Sequence, residues 1–304
     1  MSPTLHLLGL PADTRIVVLH ADDVGMCHGA NRAFLELSRA GRIDCGSIMV
    51  PCPWFPEIAR EAAADPSLDL GVHLTLTSEW YGYRWGPVAV RSDASGLLDP
   101  DGYFWRDCLA LRRAVSPAAA EEEMRAQLER ALAAGVDVTH LDTHMGAALL
   151  PELLPATLRI AREFRLPLLL PRELDSYLSV LRLGNVDAGP YAQAVAEFDA
   201  AGLPVLDRFA MTPGVPSNES EAAYAALLAP TAPGLTYVAL HPNGAEDIGD
   251  IQRHHPRAQP HWRTDELRLF GNGHCDAVIA RAGVQRLGMR ALRDLHRRTP
   301  ALPA

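Results

Sequence analysis

The stretch Arg15-Ile16-Val17-Val18-Leu19-His20-Ala21-Asp22-Asp23-Val24-Gly25 decides how the rest of the chain is read. Its first half is apolar and β-branched, as in a strand buried on both faces. It then runs directly into two adjacent carboxylates. Neighbouring strand residues point to opposite faces. Asp22 and Asp23 can therefore reach one site only where the backbone turns at the strand's C-terminal end. Two anions buried together need a cation or a shared proton to offset them. The plainer alternative makes one of them a helix cap, but the next helical pattern starts nearer Gly29.

Outward from this strand the same alternation repeats. Further short apolar runs lie at Cys45–Val50, Leu70–Leu76, Val138–Thr143, Leu166–Leu170, Pro204–Asp207, Leu235–His241 and Val284–Met289. Helical patterns lie at Ala30–Ala40, Pro56–Ala64, Pro117–Ala134, Pro151–Phe164, Tyr191–Ala201, Glu219–Leu228, Thr264–Ala282 and from Arg290 to about Arg298. Ser116-Pro117 opens one of these helices and Gly135 stops it. About eight strand–helix units predict an α/β fold, a parallel sheet closed as a TIM-like (β/α) barrel. No repeat or linker divides the chain, so a single domain over residues 1–304 is expected. One segment breaks the alternation. Thr77–Val115 shows no clear strand or helix and reads as a long insert after the third strand. It carries Trp80, Tyr81, Tyr83, Trp85, Tyr103, Phe104 and Trp105. These rings either bury one another in a small satellite core or form a wall for a ligand such as a sugar ring.

Three more candidate strands end in metal-ligand residue types. They are Gly71-Val72-His73-Leu74-Thr75-Leu76, His140-Leu141-Asp142-Thr143-His144 and, after Tyr237–Leu240, His241-Pro242-Asn243. Each is weak alone, since a histidine in an apolar strand is usually a satisfied core residue. In a parallel barrel, however, the C-terminal strand ends share the face where active sites lie. Imidazoles and carboxylates converging there suit a divalent metal and metal-assisted hydrolysis of a carbonyl compound. The ligand types alone leave a redox or isomerase role open.

Composition narrows the chemistry. All 28 basic side chains are arginine. Without lysine there is no Schiff-base aldolase, no covalently anchored pyridoxal phosphate and no GxxxxGK[ST] phosphate loop. A net charge of −9 argues against nucleic acid and against an anionic membrane surface. No apolar run approaches a membrane span, and the N-terminus lacks a signal-peptide pattern. The five cysteines contain no CxxC pair, so neither a disulfide framework nor a thiolate zinc site is expected. Cytoplasm is the expected compartment.

Together the ADDVG run followed by a helix containing Asn31, the GVHLTLT strand, the DTH motif, the HPN motif and Arg263-Thr264-Asp265-Glu266-Leu267 resemble the YdjC/ChbG-type family of carbohydrate deacetylases. The resemblance extends from about Arg15 to Leu292. It implies a TIM-like barrel, often dimeric, that removes N-acetyl groups from chitooligosaccharides or related glycans. It implies one divalent ion, magnesium or zinc, on Asp23, His73 and His144. It also makes Asp22 the base that deprotonates a metal-activated water, and His241 the acid for the leaving amine. Trp80, Tyr81 and Trp105 from the aromatic segment, with Asp142, Asn243 and Arg263 from the motifs, are the expected substrate contacts. The chain departs from the family where Met145 and Gly146 replace further histidines, and where His20 replaces an asparagine before the aspartate pair. Other readings are a different barrel metal enzyme, such as an isomerase, and a non-catalytic sugar-binding relative.

Overall fold

The structure is a computed structural model that describes residues 2–89, 92–181, 183–230, 232–255 and 259–299. Seven strands form one sheet: β1 (Arg15–Val24), β2 (Cys45–Ile48), β3 (Leu70–Leu74), β4 (Val138–Thr143), β5 (Arg208–Met211), β6 (Gly234–Leu240) and β7 (Gln285–Arg286). The order is β4-β3-β2-β1-β6-β5, with every neighbour parallel. β7 pairs the start of β1, at Ile16 and Val17, whereas β2 pairs its end from His20 onward. Residues at every position of β2, β3, β4 and β6 are buried. Near-continuous apolar runs are what a parallel sheet covered on both faces requires.

This sheet is a half-barrel, and closure into the expected eight-stranded barrel is not shown among the described residues. Of the expected strand Leu166–Leu170, a single parallel bridge forms between Leu168 and Leu141. Pro167 and Pro171 bracket it and cannot donate to a ladder. The expected strand Pro204–Asp207 is irregular, and β5 starts just beyond it. The two edges still meet, because Arg172 and Glu173 donate backbone hydrogen bonds to Leu206 and Asp207.

Helices occupy all the expected positions. The expected Thr264–Ala282 helix divides into Pro260–Gly271 and His274–Arg281, because Gly273 between them takes φ +80. Helices at Pro3–Leu7, Leu174–Val180 and Ala245–Gln252 were not legible; each is five to eight residues, too short to show a 3.6-residue period. The Thr77–Val115 segment is also less bare than its sequence suggests. It ends in a helix at Cys108–Ala114, capped by the Asp107 side chain on Ala110 N at 2.8 Å. Trp80, Trp85 and Phe104 join the main core rather than a separate one. All five cysteines are free and buried. Among the described residues, no helix is long and apolar enough to cross a membrane.

β3 and β4 approach each other closely at Gly71. A Cβ on Gly71 would lie 2.6 Å from the His140 carbonyl oxygen. Gly71→Ala is expected to destabilise the fold by about 1–3 kcal/mol. In urea unfolding this lowers the midpoint at constant m; an unchanged midpoint would refute the close approach.

Candidate functional site

The site begins with a break in β1. Its register with β2 shifts between Ala21 and Val24, and Asp23 takes φ 61. Aspartate tolerates this left-handed region better than most residues. The irregularity lets adjacent carboxylates serve one site. Asp23 is buried, and the Asp22 side chain keeps 15% of its exposure. Asn31 secures the turn by accepting from Gly25 N at 2.7 Å and donating to Glu57.

Asp23, His73 and His144 converge. Asp23 Oδ1 lies 3.7 Å from His73 Nε2 and 3.2 Å from His144 Nδ1. Each imidazole is held from behind by a carboxylate. His73 Nδ1 lies 2.9 Å from Asp142, and His144 Nε2 lies 2.9 Å from Glu79. A carboxylate on the far ring nitrogen is the usual means of orienting a metal-binding histidine. Arg263 lies 2.9 Å from the other Asp23 oxygen. Burial alone would raise the Asp23 carboxyl, yet Arg263 and His144 hold it well below the ordinary range. Burial would lower His144, but Glu79 and Asp23 push it up to about 10. The local field therefore favours positive charge at this point. One carboxylate and two neutral imidazoles at these spacings fit a divalent cation.

Two further groups flank the cluster. Asp22 Oδ1 is 2.7 Å from His20 Nδ1, and Asp22 Oδ2 is 3.7 Å from His241 Nε2. Burial pushes His241 down to about 4, against Asp22 and Asp23, which raise it. Behind His241, Nδ1 lies 2.9 Å from Thr212 Oγ1, which donates to Glu266. Trp262 meets the His241 ring edge-on, with centroids 5.3 Å apart.

The expected substrate contacts divide. Trp80 lies near Arg263, whose Cζ is 5.9 Å from the Trp80 ring, and Tyr81 is half exposed under Arg106. Trp105 is tied within its own segment by donating to Gly96 O. Asp142 is 1% exposed, and His73, Ser47 and Tyr237 occupy its oxygens. Its place is behind His73 and not against a ligand. Asn243 is wholly buried, with its amide on Cys27 Sγ. Glu79, Thr212, Trp262 and Glu266 were missed as site groups. In the sequence Glu266 stands out only as part of the Arg263–Leu267 motif, and the others stand in segments without a recognisable pattern.

A family model described as YdjC-like protein matches residues 16–281. The chain belongs to the YdjC-like family. It is 33% identical over 296 residues to a protein of Thermus thermophilus named carbohydrate deacetylase, covering 95% of this chain and 98% of that one. A Brevibacillus brevis protein of the same name is 36% identical over 170 residues, 54% of this chain and 65% of its own. A crystal structure from Enterococcus faecalis V583, provisionally named a cellobiose-phosphate cleavage protein, superposes with a TM-score of 0.73 at 20% identity. It covers 92% of this chain and 99% of its own, and it supports the fold.

In this YdjC-like chain the departure at His20 has a structural partner. His20 Nε2 lies 2.9 Å from His140 Nε2, and His140 Nδ1 lies 2.9 Å from Thr139 Oγ1. Thr139 donates to Asp69, so it accepts from His140 Nδ1–H. Burial, then His20, pushes His140 down to about 3. Its folded value is thus below the unfolded 6.5, so the neutral ring's stability is present above pH 6.5 and lost as pH falls toward 3. His140→Gln is expected to flatten the stability–pH curve over that window by up to about 1.4 kcal/mol per pH unit, one proton's worth. Urea unfolding at pH 4 to 6.5 reads it; parallel curves for the two proteins would exclude the buried neutral ring.

Proposed function

We propose that this chain removes an acetyl group from the nitrogen of an amino-sugar residue in a carbohydrate, using one divalent cation held by Asp23, His73 and His144. The name of the Thermus thermophilus relative, similar along nearly the whole chain, supports the substrate class. The observation that carries the chemistry is the position of Asp22 and His241 beside the three-residue cluster, 3.7 Å from each other. Two imidazoles with one carboxylate suit zinc better than magnesium, which prefers oxygen ligands. Bound there, the cation lowers the pKa of a water and polarises the acetamide carbonyl.

The protein's own groups account for the proton. Asp22, steadied by His20, takes it from the attacking water. His241 starts neutral, so its Nε2 can receive that proton across the gap from Asp22 and deliver it to the departing nitrogen. Water's oxygen joins the acetyl carbon, the C–N bond breaks, and acetic acid and amine leave, the acid's remaining proton passing to the amine or to solvent, with no net proton change at the two side chains. Half-exposed Tyr81 would offer the sugar an aromatic contact, with buried Trp80 packed near Arg263, which pairs with Asp23. This geometry favours hydrolysis over the isomerase reading, because an acid–base pair flanks the cluster.

Acetate release from N-acetylglucosamine, diacetylchitobiose and triacetylchitotriose is the deciding assay. Release should occur, cease with chelator and return with zinc; release indifferent to chelation would sink the cation's role. Asp22→Asn should retain the cation and lose about 10²–10⁴-fold in kcat. Should Asp22→Asn shed the cation while Asp23→Asn keeps it, the two roles are exchanged. Glu79→Gln should weaken zinc affinity about 10–100-fold in a competition titration; unchanged affinity would show that Glu79 does not support His144. Tyr81→Ala should raise KM with kcat little changed.

A further inference from the structure

We propose that Thr212 and Glu266 are positioning residues that fix the tautomer of His241, keeping hydrogen on Nδ1 and leaving Nε2 to exchange the proton. The inference rests on the role given to His241 above and adds what prepares that ring for it.

The hydrogens can be counted. Glu266 is wholly buried, and burial pushes its carboxyl up to about 7; ionised, it accepts three hydrogen bonds, from the Thr212 hydroxyl at 2.5 Å, the Tyr224 hydroxyl at 2.6 Å and the His241 backbone N–H. Thr212 has one hydroxyl hydrogen. Glu266 is its short-range acceptor, and Ala239 O at 3.4 Å is the weaker alternative. With that hydrogen spent, Thr212 Oγ1 offers Nδ1 a lone pair at 2.9 Å and no proton. A neutral His241 satisfies this contact only as the Nδ1–H tautomer. Its Nε2 then carries a lone pair toward Asp22 Oδ2. Glu266 also accepts from the His241 backbone, so one carboxylate fixes both the main chain and, through Thr212, the ring.

The test uses the full chain labelled with ¹⁵N-histidine, with His241 signals assigned by their loss in His241→Gln. Long-range ¹H–¹⁵N spectra should show hydrogen on Nδ1; hydrogen on Nε2 in the unmutated chain overturns the proposal without any variant. Thr212→Val should lose the tautomer preference and lower kcat for diacetylchitobiose at least about 10-fold, with KM unchanged. It should spare hydrolysis of 4-nitrophenyl acetate, whose phenolate leaves without a proton. Thr212→Ser should restore the tautomer and most of kcat. Equal losses on both substrates, or a valine variant that keeps the tautomer, would reduce Thr212 to a structural residue. A chain with the predicted tautomer that releases no acetate from any saccharide would remove the deacetylase reading and leave the positioning intact.

Discussion

The arrangement depends on burying several carboxylates around one point. Asp22, Asp23, Glu79 and Asp142 all lie toward the C-terminal end of the sheet, and Arg263 pairs with Asp23. Such a cluster is costly unless positive charge or donated hydrogen bonds offset it. The chain meets this with imidazoles: His20 on Asp22, His73 between Asp23 and Asp142, and His144 between Asp23 and Glu79. With no lysine in the sequence, histidine, arginine or a metal ion are the available cations. The imidazoles that offset the cluster as protonated rings would, on losing a proton, present a lone pair to a cation that takes over their charge.

That exchange requires exact backbone placement, which the parallel sheet supplies. His73 and Asp142 are direct register partners on β3 and β4, so their contact follows from strand pairing. Asp22 and Asp23 would diverge in a regular strand, and the register shift with φ 61 at Asp23 corrects this. An aspartate in the left-handed region is strained to a modest degree. The ion pair to Arg263 and the contacts from His73 and His144 hold it there.

Much of this was legible because it lies on strands. The β4 expectation, Val138–Thr143, matches the observed strand at both ends, and the strand-end histidines and aspartates do share one face. What failed has physical reasons. The period of two puts His140, Asp142 and His144 on one strand face, but depth along the strand separates them. His140 and Asp142 sit below the site and bond to other side chains, and His144 lies beyond the strand's end. Asp142 therefore supports a histidine, although its sequence position suggested a ligand contact. Glu79, Thr212 and Trp262 come from a loop, a strand end and a helix, where no spacing rule links them to the metal-type residues. The barrel's closure was overestimated because Leu166–Leu170 has strand composition but prolines on the ladder.

The replacement of expected histidines by Met145 and Gly146 can now be read in the same terms. Both residues take positive φ, and a Cβ on Gly146 would lie 2.8 Å from Leu181 Cβ. The turn after β4 is thus closed against an apolar neighbour and has no room for a larger side chain at that position. Cys108 further fixes it by donating to Met145 O at 3.1 Å. Polarity on this side comes instead from Glu79, delivered by the segment after β3 to the outer nitrogen of His144. A carboxylate there strengthens the field for a bound cation and adds to the negative potential met by an incoming ligand. Under the proposed function, a site so built would admit a neutral acylated sugar more readily than a carboxylated or phosphorylated one. Trp80 is buried, so half-exposed Tyr81 under Arg106 would be the aromatic face that the proposed reading leaves for an uncharged ring.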